Sequence, residues 1–358
     1  MNIFRSEEHV KSWPLYFRMA EDYIMPVADW AEVFSGPLFR RRLEPDYLEN
    51  AEEYFRVFRE SLRAFGKQSP FWQYPMISEM NLVRLSRYCV VGNYTRYEEE
   101  VLNTLKDIRF KISEALREQD GARKNFLIWA APGSGKTFFA QQIAKELAPA
   151  CDYQEINLAK YDQDEFKYAI TSLLNGSKPT ICLVDEVDAQ PTTIWPYESL
   201  LPILDQATSS SFPLIFIFAG SSGFSLEGMK ERISLRSKGQ DMLSRIPSEN
   251  QAIIPPMSFG DRVLIVLSQF VRAAEDQGRE LRTVEKLGLY YVALNEKLSN
   301  ARQLREFAVR AVERIPQGDT RLKYDNLFSP GDPENKRFWQ EVSSVAQELV
   351  NHFVEIEP

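Results

Sequence analysis

The amino-acid sequence predicts an α/β fold: a parallel five-stranded sheet between helices, followed by an all-α segment and preceded by a small, mainly helical N-terminal domain. Three observations lead there. Short apolar runs at Phe126–Ala131, Tyr153–Leu158, Thr180–Val184, Leu214–Ala219 and Ala252–Ile254 are separated by helical or loop segments, the pattern of buried parallel strands with crossover helices. From Gly260 onward the periodicity reads as wholly helical. Finally, 18 of the 44 aromatic residues fall in residues 1–95, which marks the first quarter as compositionally separate.

Within that first quarter Leu48, Ala51, Phe55, Phe58, Leu62 and Phe65 recur in steps of three and four, an amphipathic helix with Pro45 at its start and Gly66 at its end. A second such helix runs through Leu102, Leu105, Ile108, Ile112 and Leu116 towards Gly121. Beyond the five strands, helices are expected around 260–275, 284–297 and 300–314. A break at Ser329–Pro333 precedes one last helix carrying Phe338, Trp339, Val342, Val345, Leu349 and Phe353. The division that follows is 1–95 for the N-terminal domain, 96–257 for the α/β core, 258–315 for a helical lid and 316–358 for a C-terminal extension.

Composition narrows the chemistry. The chain has 358 residues, 44% hydrophobic and 26% charged, which sets aside disordered and fibrous classes. A net charge of −8 argues against a surface that coats nucleic acid or anionic lipid as a whole. Cys89, Cys151 and Cys182 form no close pair, and His9 and His352 are the only imidazoles, so neither a disulfide framework nor a histidine metal centre is expected. Glu7 and Glu8 sit where a secretion signal needs an apolar core, and no apolar run approaches a membrane span. The expectation is a cytoplasmic protein with no membrane partner.

The segment Phe126 to Thr137 is an apolar strand entering the turn Pro132-Gly133-Ser134-Gly135-Lys136-Thr137, with a helix from Phe138 to Leu147 behind it. Successive backbone N–H groups of such a turn, with the positive end of the following helix, surround a phosphate. Lys136 would reach the β- and γ-phosphates and the Thr137 hydroxyl would ligate Mg²⁺. Against the pattern G-x-x-x-x-G-K-T the sequence departs once, with Ala130 in place of the first glycine. About fifty residues on, Ile181–Val184 is a buried strand ending in Asp185 and Glu186. Asp185 can bind Mg²⁺ through water. Glu186, expected on the opposite face because strand side chains alternate, can polarise an attacking water for in-line hydrolysis of the γ-phosphate.

Over roughly residues 95–315 these motifs resemble the AAA+ family of P-loop ATPases. The resemblance implies ATP and Mg²⁺ as cofactors, Pro132 to Phe138 and Arg302 as nucleotide contacts, and Thr137 and Asp185 as metal ligands. It also implies catalytic roles for Lys136 and Glu186. Ser221, after the strand at 214–219, would sense the γ-phosphate. Arg245 would reach the nucleotide of a neighbouring subunit, with Arg232 and Arg236 as competitors for that role. Arg302, in Ser299-Asn300-Ala301-Arg302, would sit over the phosphates from the lid, with Arg305 as the fallback. Tyr161 would line a central pore, whereas the residues' own reading is that Asp162 or Asp164 caps the next helix. Self-association into a ring or partial ring, a hexamer when ATP-bound, is expected, with a protein client held by residues 1–95. An ATP-controlled switch or scaffold and a DNA-associated ATPase are the competing functions; nucleic acid is not favoured.

Overall fold

The computed structural model describes residues 3–13, 24–64, 76–117, 125–189, 195–205, 212–298, 301–335 and 349–357. The chain divides into two compact units, Leu85–Ile265 and Met1–Arg84 with Val266–Pro358. In the first unit, strands β4 (Phe126–Ala130), β5 (Asp152–Asn157), β6 (Thr180–Asp185), β7 (Leu214–Gly220) and β8 (Gln251–Ile254) form the expected sheet. Their order is β5-β6-β7-β4-β8 and every pairing is parallel.

Alternation along the strands builds two cores. On one face Ile128, Ile181, Leu183 and Ile217 pack with helices α5 (Glu99–Arg117) and α6 (Lys136–Leu147), which contribute Leu105, Ile112, Phe139 and Ile143. On the other face Leu127, Cys182, Val184 and Phe218 pack with α7 (Gln163–Leu174), α8 (Trp195–Asp205), α9 (Leu226–Ser234) and α10 (Gly239–Leu243). A sheet covered on both faces needs strands that are apolar throughout, which is why β4, β6 and β7 read as continuous hydrophobic runs. Each buried aliphatic or aromatic side chain contributes about 1.5–3 kcal/mol. A short antiparallel pair, β2 (Cys89–Val91) with β3 (Tyr94–Thr95), precedes α5.

In the other unit the N-terminal helices α1 (Glu7–Lys11), α2 (Val27–Phe34), α3 (Pro37–Arg40) and α4 (Ala51–Ala64) are short. Trp30 stacks on Phe34, and Phe34, Phe39 and Phe58 follow edge to face, so part of the aromatic excess of this region is internal packing. Phe65 and Gly66, expected at the end of α4, lie outside the described residues, as do Gly121 and residues 336–348 of the last expected helix. Helix α11 (Phe259–Asp276) contains the division at Ile265, and α12 (Lys286–Leu294) and α13 (Ala301–Glu313) follow.

The region after Gly260 is not wholly helical as expected: between its helices it carries, among the described residues, three strands the periodicity did not announce, which join one strand from the N-terminal part. β1 (Leu82–Arg84), β9 (Thr283–Glu285), β10 (Arg321–Leu322) and β11 (Phe353–Glu357) form a sheet of order β1-β11-β9-β10. Phe353, expected on a helix, belongs to β11, where Val354 and Ile356 point inward in strict alternation. Glu285 anchors this layer: its buried carboxylate accepts the N–H groups of Tyr324 at 2.7 Å and Asn351 at 2.8 Å. The buried Lys286 ammonium donates to Ser78 O at 2.7 Å and Asn81 Oδ1 at 2.9 Å.

Phe218 is fully buried in β7 at the middle of the sheet. Phe218→Ala is expected to lower the stability of this unit by about 3–5 kcal/mol, measured as the drop in the denaturant midpoint of the sheet-containing unit.

Candidate functional site

Strand β4 delivers the chain into the turn 131–135 at the point where Ala131 N–H donates to Ile254 O at 3.1 Å and Ser134 N–H to Ala131 O at 3.0 Å. Gly133 and Gly135 take φ of +75° and +86°, left-handed values that a side chain resists. Space around Gly133 is open, whereas a Cβ on Gly135 would stand 3.1 Å from the Tyr94 ring. Gly135 is also the N-cap of α6 and offers no side chain to its first turn. The N–H groups of Lys136, Thr137 and Phe138 at that helix start therefore favour an anion. Thr137 is half-buried and Phe138 exposed.

The 92–94 segment lies against this turn. The Tyr94 hydroxyl donates to Ser134 O at 3.0 Å, and burial pushes that phenol up to about 12. Gln142 on α6 accepts the Asn93 N–H at 2.9 Å, and a Cβ on Gly92 would meet the same Oε1 at 2.5 Å. The turn is thus supported from below by side chains that the sequence reading did not single out.

Lys136 joins the turn to the acids at the end of β6, two strands away in the sheet. Its Nζ is 2.8 Å from Asp185 Oδ1 and 2.8 Å from Glu186 Oε1. Burial alone would lower the lysine's pKa, but hydrogen bonds and charge from Asp185 and Glu186 outweigh it and leave the pKa raised. The expectation that Asp185 and Glu186 face opposite ways does not hold. Glu186 lies beyond the end of β6 with φ +54°, and its N–H turns back to Asp185 Oδ1 at 2.8 Å. Alternation ends with the strand, and the left-handed step brings both carboxylates to one ammonium.

Downstream of Glu186, Asp188 is a buried carboxylate that sequence reasoning missed. Its Oδ2 accepts the N–H groups of Ser221 at 3.2 Å and Ser222 at 2.6 Å, tying the loop after β6 to the loop after β7. Gly220 is required there, since a Cβ would stand 2.7 Å from Asp188 Cγ and Met229 Sδ. The sequence offers only its nearness to the pair in Asp185-Glu186-Val187-Asp188, which does not mark a contact with backbone N–H groups. Ser222 O accepts from Trp129 Nε1 at 3.0 Å.

The remaining expected residues are distributed as follows. Arg245 follows α10, is half-buried, and its Nη1 donates to Asp241 O. Arg232 is exposed on α9. Arg236 turns inward onto Asp188 O, Ala189 O and Tyr197. Arg302 and Arg305, in the other unit, are exposed and pair with Glu306 at 3.3 Å and Asp276 at 3.4 Å. Tyr161 is half-buried against the core on the sheet face covered by α7 to α10. Asp162 is the N-cap of α7, accepting from Asp164 and Glu165 N–H at 2.9 and 2.8 Å, with Glu165 returning the bond.

The residues fit a nucleotide with Mg²⁺. The buried Ser134 Oγ has no hydrogen-bond partner, the cradle tolerates a close anion at Gly133, and Thr137 with Asp185 supplies the hard oxygen ligands that Mg²⁺ takes beside water and phosphate. Among the described residues no group of three or more His, Cys, Asp or Glu forms a metal cage, and no helix is long and apolar enough to cross a membrane.

A parallel sheet with a glycine turn, Lys-Thr helix start and an acid-tipped strand one place removed in the same sheet defines a P-loop nucleotide-binding domain. Residues 126–236 match the family model described as ATPase family associated with various cellular activities (AAA). Over that stretch the chain is similar to the AAA+ class of P-loop ATPases. No curated protein sequence matches the chain. Solved structures to which it is similar include a RuvB mutant of Thermotoga maritima, at 16% identity over 75% of this chain and 86% of that one, with TM-score 0.43. Another is PCH-2 of C. elegans, at 13% identity over 69% and 71%, with TM-score 0.44.

Tyr94→Phe leaves Ser134 O without its donor and is expected to destabilise the turn by about 1–3 kcal/mol. The check is nucleotide affinity: titration of a fluorescent ATP analogue should show weaker binding, with the far-ultraviolet circular dichroism spectrum unchanged.

Proposed function

We propose that this protein binds and hydrolyses ATP with Mg²⁺ at interfaces between its own subunits and uses the cycle to remodel a protein client or complex. The observation that carries the reading is the Lys136 ammonium held 2.8 Å from both Asp185 and Glu186. A phosphate entering the cradle competes for Lys136. With the ammonium turned to the β- and γ-oxygens, Asp185 and the Thr137 hydroxyl would hold Mg²⁺, which would neutralise charge on the phosphates. Glu186 is released to accept a proton from the attacking water. Hydrolysis then takes precedence over transfer to a small acceptor, because the carboxylate that activates the nucleophile stands beside the phosphate cradle itself.

Ser221 is assigned to sensing the γ-phosphate, Arg245 to the neighbour's nucleotide, and Arg302 to the phosphates from the lid. An arginine suits the neighbour role because its permanently charged planar fork matches the oxygens of a transferring phosphoryl group. Residues 1–95 are the proposed client-binding portion, residues 96–257 the nucleotide core, 258–315 the lid and 316–358 the extension. A ring or partial ring, hexameric with ATP, forms in the cytoplasm.

Lys136→Ala is expected to abolish ATP binding; tight binding by that variant would remove the site assignment. Glu186→Gln should keep ATP affinity while turnover falls on the order of 10²-fold or more. The same variant gives the assembly test, by mass photometry at low concentration with and without Mg²⁺-ATP. A defined ring only with ATP is the expected result. A monomer in both conditions would favour an ATP-controlled switch, and retention on single-stranded DNA at physiological salt would favour the DNA-associated alternative. Arg245→Ala should bind ATP and lose on the order of 10³-fold in turnover in the assembled state; full turnover there would reassign the neighbour role.

A further inference from the structure

We infer that Arg236 is a positioning residue for the hydrolytic carboxylate of its own subunit: it locks the turn 187–189 and thereby holds Glu186 in its left-handed conformation. The inference rests on the ATPase reading above and removes Arg236 from the arginines that could serve a neighbour.

Residues 187–189 present three successive carbonyl oxygens to one place. Arg236 Nη1 donates to Ala189 O at 2.5 Å and to the Tyr197 hydroxyl at 3.0 Å, and Nη2 donates to Asp188 O. The Tyr197 hydroxyl in turn donates to Val187 O at 2.9 Å, and the guanidinium lies 5.8 Å over the Tyr197 ring. One cation and one phenol therefore satisfy all three carbonyls, a task for which the planar fork of arginine is suited and the point charge of lysine is not.

The other sides of the turn are tied as well. Val187 N–H donates to Ala219 O at 2.9 Å, Ala189 N–H to Glu186 O at 2.9 Å, and the Asp188 carboxylate holds Ser221 and Ser222. A residue such as Glu186 at φ +54° persists only where its surroundings over-determine it. The surroundings on its C-terminal side are this turn. The segment that carries Arg236 is itself rigid: Arg236 N–H donates to Ile233 O at 3.0 Å, Gly239 N–H to Arg236 O at 3.0 Å, and a Cβ on Gly239 would stand 1.8 Å from Ile233 O. Leu235, immediately before Arg236, is 87% exposed, so the same short segment faces solvent on one side and the Glu186 turn on the other.

The experiment compares full-length wild type with Arg236→Ala, Arg236→Lys, Tyr197→Phe and the Arg236→Ala/Tyr197→Phe double variant. Steady-state ATP turnover and the affinity for a fluorescent ATP analogue are read for each. Misplacing Glu186 should lower turnover by Arg236→Ala on the order of 10²-fold, with analogue affinity within about threefold of wild type. Arg236→Lys should recover part of the loss. Tyr197→Phe should lose turnover to a smaller extent, and the double variant should be no worse than Arg236→Ala alone, because both act through one turn. Wild-type turnover in Arg236→Ala overturns the inference. So does a silent Tyr197→Phe beside an inactive Arg236→Ala, or independent losses that multiply, since either puts Arg236 to work somewhere other than the turn. Loss of analogue affinity in step with turnover marks a merely structural role and also overturns it. Absence of turnover in the wild type is a separate outcome: it defeats the ATPase reading, and this inference with it.

Discussion

Two carboxylates at the tip of a buried strand cannot stand there unpaired, and much of the site follows from how the fold meets that demand. Burying a charge without a partner costs several kcal/mol or more. Lys136 supplies the partner, and it can do so because β4 and β6 lie in the same parallel sheet, separated by β7, with their C-terminal ends on the same edge. The glycine turn after β4 then directs the first residue of α6 across that edge. In the proposed reaction the ammonium is therefore a placeholder as well as a phosphate-binding group. A cradle that kept its lysine idle in solvent would leave Asp185 and Glu186 to repel each other at the place where phosphate must enter.

The same demand explains why the backbone after β6 breaks its regular conformation. Continued strand geometry would send Glu186 to the opposite face, away from Lys136. The left-handed step at Glu186 avoids that, at an energetic cost that the turn 187–189 must offset. Asp188, Gly220, Tyr197 and Arg236 then form a second layer whose contacts go almost entirely to backbone groups. The first layer meets phosphate and water in the proposed reaction, while the second fixes where the first can be.

This layering accounts for what was legible in the sequence. The five strands of the main sheet were found to within two residues at either end because burial on both faces forces continuous apolar runs. Pro132 to Thr137 and Asp185-Glu186 stood out because phosphate and Mg²⁺ chemistry restricts residue type and spacing together. Asp188 and Arg236 act on N–H and carbonyl groups, which every residue has, so no spacing rule displays them. Conformation at Glu186 was misjudged for a related reason: alternation says where a side chain points only while the strand lasts. The second sheet was missed because β9 and β10 hold three and two residues, too few for a period to register. In β11 the alternation of Val354 and Ile356 was present but was absorbed into a helical reading that reached Phe353.

The placement of Arg236 bears on how arginines in such a domain divide their work. Arg232, Arg236 and Arg245 lie within fourteen residues and are chemically identical, so sequence alone left all three open for one role. Geometry separates them. Arg236 has both terminal nitrogens committed to its own chain, which makes service to a neighbour cost the bonds that steady Glu186. Arg232 lies exposed on α9. Arg245 sits half-buried beyond α10, with its guanidinium donating to the carbonyl of Asp241 one turn earlier. In the proposed neighbour role an arginine has to be separable from the carboxylate that activates water in its own subunit, a condition that Arg236, committed to the turn beside Glu186, does not meet.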